Sequence, residues 1–420
     1  MSPSQPLRRS LRHVFLALAG ACCSQIVAAA APVHWVSSWG AAQQLPDPQN
    51  ELAGPAWVDG SLRQLVQTSI AGSALRVRFS NVFGSASMTI DGASVALALA
   101  PGKADIDPAS VRRLTFGGRG TVTIPAGAEY YSDTVALPHA ARATLAISTH
   151  FNGAPARQTS HGGSRSTSFY VAGNRVLDSA WPDAGKVVHW YQISAVDVQA
   201  APSVRAVVAI GDSITDGYGV TTDGNDRWTD GLIKRLEGGA PLAVINAGIG
   251  GGRMLKDGAG PNLAARFERD VIARPGVSHA IGLIGVTDLG VQHRNKEDTQ
   301  AMRKALVEDL MEAHRQLVER AHAHGICVIG ATVSPYTGSD YYAPGAANEA
   351  DRQALNSWIR TSGVFDAVAD VDAALRDPAA PERLAPTLDS GDHLHPSLAG
   401  YRAIAGAIPL PALRQCAYQR

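Results

Sequence analysis

The segment VVAIGDSITDGYG, from Val207 to Gly219, decides the fold predicted for this chain of 420 residues. It begins with an apolar run and continues with Gly-Asp-Ser, a pattern typical of a buried strand that ends in a sharp turn. A turn of this kind that opens a helix exposes a serine hydroxyl at the sheet edge and directs backbone N–H groups at the atom under attack. Ser213 is therefore a candidate nucleophile, although a Gly-Asp-Ser turn by itself is common.

Apolar runs of the same kind recur later in the chain and alternate with helical stretches. The runs are LAVINAG, HAIGLIG and ICVIGATV, and the clearest helical stretch is MRKALVEDLMEAHRQLVERAHAHG, which stops at Gly325. Buried strands that alternate with helices predict a parallel α/β sheet for residues 201–420. Because ligands of such sheets bind beyond the carboxyl ends of the strands, we expect the chemistry directly after these runs.

Residues 32–200 follow a different pattern. From Trp35 to about Val198 they form short segments in which apolar and polar residues alternate, such as ALRVRFSNVF and ATLAISTHF, separated by Gly, Pro, Asn and Asp. Alternation with a period of two predicts half-buried strands, and many short strands predict an all-β, sandwich-like domain. We place the boundary between the two predicted domains at Ala200–Ser203.

The first 31 residues have the pattern of an export signal. Arg8, Arg9 and Arg12 precede the apolar run VFLALAGACC, and IVAAAAP supplies the small residues that a signal peptidase accepts. We therefore predict a signal peptide at residues 1–31 and a secreted or periplasmic protein. RRSLR loosely resembles a twin-arginine signal and LAGAC a lipobox, so the export route stays open. No later segment has the ~20 apolar residues of a membrane span.

The charge composition argues against a nucleic-acid partner. The 37 basic residues balance 37 acidic ones, and no basic cluster follows the N-terminus. A small molecule or a glycan is the better-fitting partner. The predicted mature chain keeps two cysteines, Cys327 and Cys416. Export permits a disulfide between them, but a buried thiol in the run ICVIG is the alternative, and spacing alone does not decide.

A serine hydroxyl becomes a good nucleophile when an adjacent base takes its proton and a third group orients that base. The segment LDSGDHLHPSLAGYRAIA offers Asp392 and His395, which are three residues apart. Residues at this spacing on a turn or nascent helix share a face, so the carboxylate is expected to meet the ring. His393 is the alternative base, because it adjoins Asp392 and follows Asp389 by four residues. Adjacent side chains on a turn point apart, which favours His395.

Paired histidines also occur as metal ligands, and His393/His395 and His322/His324 are two such pairs. A zinc site needs at least three convergent protein ligands, and neither pair has an evident third. The sequence therefore predicts neither a metal nor a cofactor.

Attack of a serine on an ester creates a negative oxygen that needs preorganised hydrogen-bond donors. The segments INAGIGGGRM and LIGVTDLG follow the second and third predicted buried strands and place small residues where backbone N–H groups can face a ligand. Ordinary strand-to-helix turns are the alternative interpretation of each segment.

Taken together and in this order, these segments resemble the SGNH hydrolases, also called GDSL-type esterases and lipases. The matching blocks are Gly211-Asp212-Ser213, the segment NAGIGG with Gly251, and the Asp-x-x-His of Asp392 and His395. The resemblance extends from about Val204 to Leu413. It implies a flavodoxin-like three-layer α/β domain and metal-free ester hydrolysis through an acyl-enzyme on Ser213. The β-rich region is more loosely similar to N-terminal domains of some exported members.

One block departs from the family pattern. Members usually carry Gly-x-Asn-Asp in the third block, where the asparagine amide is an oxyanion donor, whereas this chain has GVTD with Thr287 at that position. The resemblance thus implies an oxyanion hole formed by Ser213, Gly251 and Thr287, the last with a shorter side chain. Loss of such a donor typically costs ~3 kcal/mol of transition-state stabilisation. Asp212 and Asp288 are expected to fix their loops and to take no part in the chemistry.

The predicted function is a secreted serine esterase in which His395 deprotonates Ser213 and Asp392 stabilises the imidazolium. A short acyl group, such as acetyl on a carbohydrate, is the expected substrate. Two alternatives stay open: an acyltransferase with the same triad, and a glycan-binding protein whose catalytic domain is weakened at Thr287.

Overall fold

The computed structural model describes residues 1–2, 33–239 and 241–418. The predicted signal peptide falls almost wholly outside these residues. The chain from His34 onwards forms one compact unit. None of the helices in the described part of the chain has both the length and the hydropathy needed to cross a membrane.

The first part of this unit is built from antiparallel strands. These are β1 (Trp35–Gly40), β2 (Gly60–Gln67), β3 (Gly72–Ser80), β4 (Met88–Ile90), β5 (Gly92–Leu97), β6 (Arg112–Leu114), β7 (Val122–Ile124), β8 (Glu129–Tyr131), β9 (Val135–His139), β10 (Thr144–Phe151), β11 (Ser160–His161), β12 (Ser168–Ala172), β13 (Gly185–Val187), β14 (Trp190–Tyr191) and β15 (Ile193–Gln199). One larger sheet has the order β1-β15-β3-β8, with β9 also paired to β3, and the other has the order β13-β12-β2-β10-β5-β6. Buried side chains of both sheets join one hydrophobic cluster. The predicted β-rich region is thereby confirmed.

The second part contains a parallel sheet and helices. The strands are β16 (Arg205–Gly211), β17 (Leu242–Gly248), β18 (Val277–Leu283), β19 (Cys327–Ala331) and β20 (Ala367–Ala369). The helices are α1 (Ser213–Asp216), α2 (Trp228–Leu236), α3 (Leu263–Phe267), α4 (Val286–Arg294), α5 (Gln300–Ala323), α6 (Ala346–Thr361), α7 (Val371–Leu375) and α8 (Leu398–Ala407). The sheet order β17-β16-β18-β19-β20 places the first strand between the second and the third. The predicted parallel sheet is confirmed, whereas the three-layer arrangement stays a prediction.

The strand register brings the ends of three strands to one edge. Gly211 at the end of β16 pairs with Gly248 of β17 on one side and with Leu283 of β18 on the other. Close packing against neighbouring elements, α1 among them, leaves no room for a side chain at either glycine. A Cβ on Gly211 would lie 2.2 Å from the Leu283 carbonyl oxygen of β18 and 2.5 Å from the Thr215 hydroxyl of α1, and one on Gly248 would lie 2.2 Å from the backbone nitrogen of Asp216. The chain segments that follow these strands therefore converge on α1.

The antiparallel and parallel parts share one hydrophobic cluster and a buried ionic group. Arg274 donates to the Ser194 carbonyl at 2.8 Å and lies 3.9 Å from Asp270. Burial alone would raise the pKa of Asp270, but Arg269 and Arg266 outweigh burial and lower it to about 2. The buried carboxylate thus remains ionised and holds the arginines that contact both parts.

A disulfide joins Cys327 of β19 to Cys416 near the C-terminus, 89 residues later. The structure therefore supports the paired alternative that the sequence left open.

Candidate active site

Ser213 is the first residue of α1 and lies just beyond the end of β16. Asp212 caps this helix, because its carboxylate accepts the N–H of Ile214 at 3.0 Å. Gly217 ends the helix in the left-handed conformation, with a φ of 96°. The short helix holds Ser213 at the sheet edge, where the turn pattern predicted it.

A continuous hydrogen-bond chain connects Ser213, His395 and Asp392. The Ser213 hydroxyl lies 2.9 Å from Nε2 of His395, and Nδ1 of His395 lies 2.6 Å from a carboxylate oxygen of Asp392. Because a carboxylate accepts hydrogen bonds, Nδ1 carries the proton and Nε2 is free to accept the serine proton. Asp392 is itself oriented by the backbone N–H of His395 at 2.8 Å and of Leu394 at 3.0 Å. The arrangement is that of a nucleophile, a base and an orienting acid.

The alternative base, His393, has another partner. Its Nδ1 lies 2.5 Å from Asp389, and its backbone adopts a φ of 58°. The left-handed conformation at His393 lets the two neighbouring histidines bond to different carboxylates. His393 lines the cleft described below, but the hydrogen bond of the Ser213 hydroxyl goes to His395.

The environment of His395 lowers the pKa of its ring. Burial is the largest cause, the hydrogen bond and charge of Asp392 oppose it, and Arg165 lowers the pKa further. The ring of Tyr218 stacks on His395 with centroids 4.1 Å apart, and the Arg165 guanidinium lies 5.5 Å from the Tyr218 ring. Sequence reasoning missed both residues. Arg165 belongs to the β-rich part, and no pattern links it to Ser213.

The predicted backbone donors lie at the ends of β16 and β17. Among the described residues, no acceptor is bonded to the backbone N–H of Ser213 or of Gly251. Gly251 adopts a φ of 70°, which favours glycine. The adjacent Gly250 N–H donates to Asp216 at 3.1 Å. The N–H of Ser213 at the start of α1 and the N–H of Gly251 in the segment after β17 are thus both without an acceptor among the described residues.

Thr287 occupies the first turn of α4 and is almost fully buried. Burial raises the pKa of Tyr342 to about 12, and the neighbouring Thr287 side chain opposes that rise. The Tyr342 ring packs directly on α4, where a Cβ on Gly290 would lie 2.4 Å from it. The shorter side chain at position 287 therefore has a tyrosine hydroxyl beside it.

The following residue, Asp288, connects this helix to the loop after β17. Its carboxylate accepts the backbone N–H of Met254 at 2.9 Å and of Leu255 at 3.3 Å. Burial raises the pKa of Asp288 to about 6. Asp288 thus fixes the loop that follows Gly251.

Residues 209–403 match the family model of the GDSL-like Lipase/Acylhydrolase family. This segment is a GDSL-like hydrolase domain. Solved structures similar to the chain include LAE5, an alpha/beta hydrolase enzyme from the metagenome of Lake Arreo, Spain, with 21% identity over 50% of this chain and 95% of that one at a TM-score of 0.37. A GDSL-like lipase from Bacteroides thetaiotaomicron is 18% identical over 50% of this chain and 88% of that one, at a TM-score of 0.38. Axe2, an acetylxylan esterase from Geobacillus stearothermophilus, is 21% identical over 51% of this chain and 96% of that one, at a TM-score of 0.37. Comparison with curated proteins gives no significant match.

The candidate triad of the GDSL-like domain opens onto a cleft of about 1180 Å³. Its lining includes Ser213, Gly251, Thr287, Asp392 and His395, so the cleft contains all five residues that the sequence singled out. The rest of the lining is mostly polar or aromatic: Tyr218, Arg253, Arg294, Asn295, Ser339, Asp340, Tyr341, Tyr342 and His393. Tyr218 and Tyr341 are both exposed, at 48% and 61%.

Three of the four paired histidines of the GDSL-like domain, His322, His393 and His395, bond to carboxylates. His322 bonds to Asp366 at 2.9 Å and stacks on Tyr418. Within the described residues, one cluster of potential metal ligands is formed by His279, Cys327 and Cys416. Both cysteines are in the disulfide, so this cluster offers no thiolate to a metal.

Proposed function

We propose that this protein is a serine esterase that hydrolyses carboxylic esters through an acyl-enzyme on Ser213. The observation that carries the proposal is the hydrogen-bond chain from Ser213 through Nε2 and Nδ1 of His395 to Asp392. A serine so bonded has a base for its proton, and the base is held in the tautomer that can accept it. The membership of residues 209–403 in the GDSL-like family supports the same chemistry.

In the proposed mechanism His395 takes the Ser213 proton while the serine oxygen attacks the acyl carbon. Asp392 stabilises the imidazolium, and His395 then protonates the departing alcohol. The N–H groups of Ser213 and Gly251, with the hydroxyl of Thr287, are the proposed donors to the oxyanion. Water, deprotonated by His395, attacks the acyl-enzyme and releases the acid.

We propose an ester of a short acid, such as acetyl, with a hydroxyl-rich alcohol such as a glycan as the substrate. The cleft supports this choice, because exposed tyrosines and polar side chains suit a sugar better than a long apolar chain. A panel of p-nitrophenyl esters and acetylated oligosaccharides would test it. We expect the highest kcat/KM with acetyl, and a preference for acyl chains of eight or more carbons would contradict the assignment.

We further propose that the chain is exported and that residues 1–31 are removed. The Cys327–Cys416 disulfide supports export, since such bonds persist in oxidising compartments. N-terminal sequencing of the protein recovered from the extracellular or periplasmic fraction would locate the cleavage site.

The decisive experiment for the reaction is Ser213→Ala. We expect p-nitrophenyl acetate hydrolysis to fall to background, with unchanged circular dichroism, and a fluorophosphonate probe to label wild type but not this variant. Ser339→Ala is the matched control, because Ser339 is a buried serine that lines the same cleft. Wild-type turnover by Ser213→Ala would place the nucleophile elsewhere. Absence of both hydrolysis and labelling in wild type would favour a glycan-binding protein.

A further inference from the structure

The β-rich part contacts α1 through a buried histidine–aspartate pair. Nε2 of His161, at the end of β11, lies 2.9 Å from Oδ1 of Asp216, the last residue of α1. Both side chains are about 5% exposed. A charged or strongly polar group in such a place is held by specific partners, because leaving one unpaired is costly.

His161 also bonds to the main chain of the β-rich part. Nδ1 of its ring lies 2.8 Å from the carbonyl oxygen of Ala42. The imidazole thus connects the backbone of Ala42 to the Asp216 carboxyl group, and so joins the β-rich part to α1.

The second oxygen of Asp216 reaches the other half of the site. Oδ2 accepts the N–H of Gly250 at 3.1 Å, and the next residue is Gly251, the candidate oxyanion donor. Asp216 is also bonded within α1, because its N–H donates to the Asp212 carbonyl at 2.9 Å. One carboxyl group therefore links the helix that begins at Ser213 to the loop that presents Gly251.

Close packing leaves this pair little freedom. A Cβ on Gly163 would lie 1.9 Å from Oδ2 of Asp216, so the backbone beside His161 contacts the carboxyl group directly. The ring of Trp190 stacks on His161, with centroids 5.6 Å apart and planes 26° apart. Trp39 packs edge-on against Trp190 at 4.9 Å. The position of Asp216 is thus set from the β-rich side.

The segment after His161 makes further contacts with the same region. The N–H and hydroxyl of Thr167 donate to Asp223 at 2.7 and 2.6 Å, and Arg227 donates to the Ser164 carbonyl. The loop of residues 161–167 is therefore docked along the chain that follows α1, and His161 makes its contact with α1 itself.

We propose that His161 is a positioning residue for catalysis, which acts through Asp216 to align the Ser213 helix and the Gly250–Gly251 segment. The inference rests on the proposed esterase function. Through His161, the β-rich part helps to position the N–H donors of the proposed oxyanion hole. A misplaced donor weakens transition-state binding more than substrate binding, so the loss is expected in kcat.

Two amide substitutions separate the two bonds of the imidazole. The amide of His161→Gln reaches the place of Nε2 and can still bond to Asp216, whereas that of His161→Asn reaches only the place of Nδ1 and keeps the Ala42 bond. We expect kcat for p-nitrophenyl acetate within about 3-fold of wild type for the Gln variant, and a decrease of about 10- to 100-fold for the Asn variant, with KM changed less than about 3-fold.

His150→Asn is the matched control, because His150 is a buried histidine of β10 that also bonds to a carbonyl, that of Gly60 at 3.1 Å. We expect it to keep the wild-type kcat. Thermal unfolding of all variants measures structural damage separately. Equal kcat in the Gln and Asn variants, or losses that follow the folded fraction alone, would overturn the proposal while leaving the esterase function intact. A wild-type protein without hydrolysis or fluorophosphonate labelling would overturn both.

Discussion

His393 and His395 are two residues apart, yet each bonds to a different carboxylate. The left-handed backbone at His393 directs its ring to Asp389, while His395 keeps Asp392 and reaches Ser213. The spacing argument anticipated the Asp392–His395 contact because that contact is local. The spacing argument could not show that His395 meets Ser213, because Ser213 lies 182 residues earlier in the chain.

The pH dependence of the reaction follows from the lowered pKa of His395. The base acts only when Nε2 is unprotonated, so activity is lost as the pH falls through this pKa. Burial and Arg165 lower the pKa below its ordinary value of 6.5, with Asp392 opposing them. We therefore expect the acidic limb of the kcat/KM profile for p-nitrophenyl acetate to have its midpoint below pH 6.5.

Asp392→Asn tests whether the pKa of His395 controls the acidic limb. It removes the charge that raises the pKa of His395, so the midpoint is expected to move to still lower pH while kcat falls. A midpoint that stays in place would mean that another group controls the limb.

The proposed role of the Thr287 hydroxyl as an oxyanion donor can be tested by substitution. Thr287→Val keeps the shape of the side chain and removes its hydroxyl, so we expect kcat to fall about 10- to 100-fold with little change in KM. Thr287→Ser is the matched control, because it retains the hydroxyl beside Tyr342. Wild-type kcat in the Val variant would remove Thr287 from the oxyanion hole and leave the two backbone donors.

Several strands are buried more completely than their alternating sequences suggest. β2 and β10 are almost wholly buried, and Arg63 of β2 has no exposed surface. Its guanidinium donates to the carbonyls of Ala104 and Asp178, both at 2.7 Å, and stacks over Trp181. Loops far along the chain thus cover the outer face of the sheet. The alternation of apolar and polar residues describes the two faces of one strand, so it could not predict that distant loops would bury the outer face.

At the start of α1, the cap residue Asp212 should couple stability to pH. Burial is the largest cause and the charge of Asp288 adds to it, whereas the hydrogen bond from Ile214 opposes them; the pKa of Asp212 is raised to about 7 in the folded protein, above its ordinary value of 3.8. The folded state thus holds a proton that the unfolded state has released. The free energy of unfolding should therefore fall as the pH rises from about 4 to about 7, by up to ~1.4 kcal/mol per pH unit.

Asp212→Asn imitates the protonated side chain and retains an acceptor for the Ile214 N–H. We expect the variant to gain stability relative to wild type as the pH rises, with a constant difference above about pH 7, as measured by urea unfolding at pH 5, 6, 7 and 8. Parallel stability curves for the two proteins would show that Asp212 does not carry this proton.

Across the whole molecule, the disulfide ties the C-terminal segment to the central sheet. Cross-linking residues 89 positions apart restricts the unfolded chain, which corresponds to at most ~4–5 kcal/mol in the chain-entropy model. We expect Cys416→Ser to lower the free energy of unfolding by a few kcal/mol. Because neither cysteine lines the cleft, kcat at 25 °C should be unchanged.

A reducing agent distinguishes the cross-link from the serine substitution itself. Dithiothreitol should bring the unfolding midpoint of wild type close to that of Cys416→Ser and leave the variant unaffected. A wild-type midpoint that does not respond to complete reduction would show that the disulfide contributes little to stability.

The sequence by itself determined what depends on near neighbours along the chain. Buried runs that alternate with helical stretches predicted the parallel sheet, the position of the turn after β16 singled out Ser213, and three-residue spacing linked Asp392 to His395. The family resemblance drawn from these blocks is confirmed over residues 209–403. The assignment of Ser213, Asp392 and His395 as catalytic, and the division into two domains, stay predictions.

Only the tertiary structure decided which distant groups meet. Parallel pairing aligned the ends of β16, β17 and β18, folding of the C-terminal segment brought His395 to Ser213, and docking of the β-rich part placed His161 on Asp216 and Arg165 beside Tyr218. Local patterns reflect the 2- and 3.6-residue periods of strands and helices. Contacts between separate elements depend on how their buried surfaces pack, and that information is distributed over the whole chain.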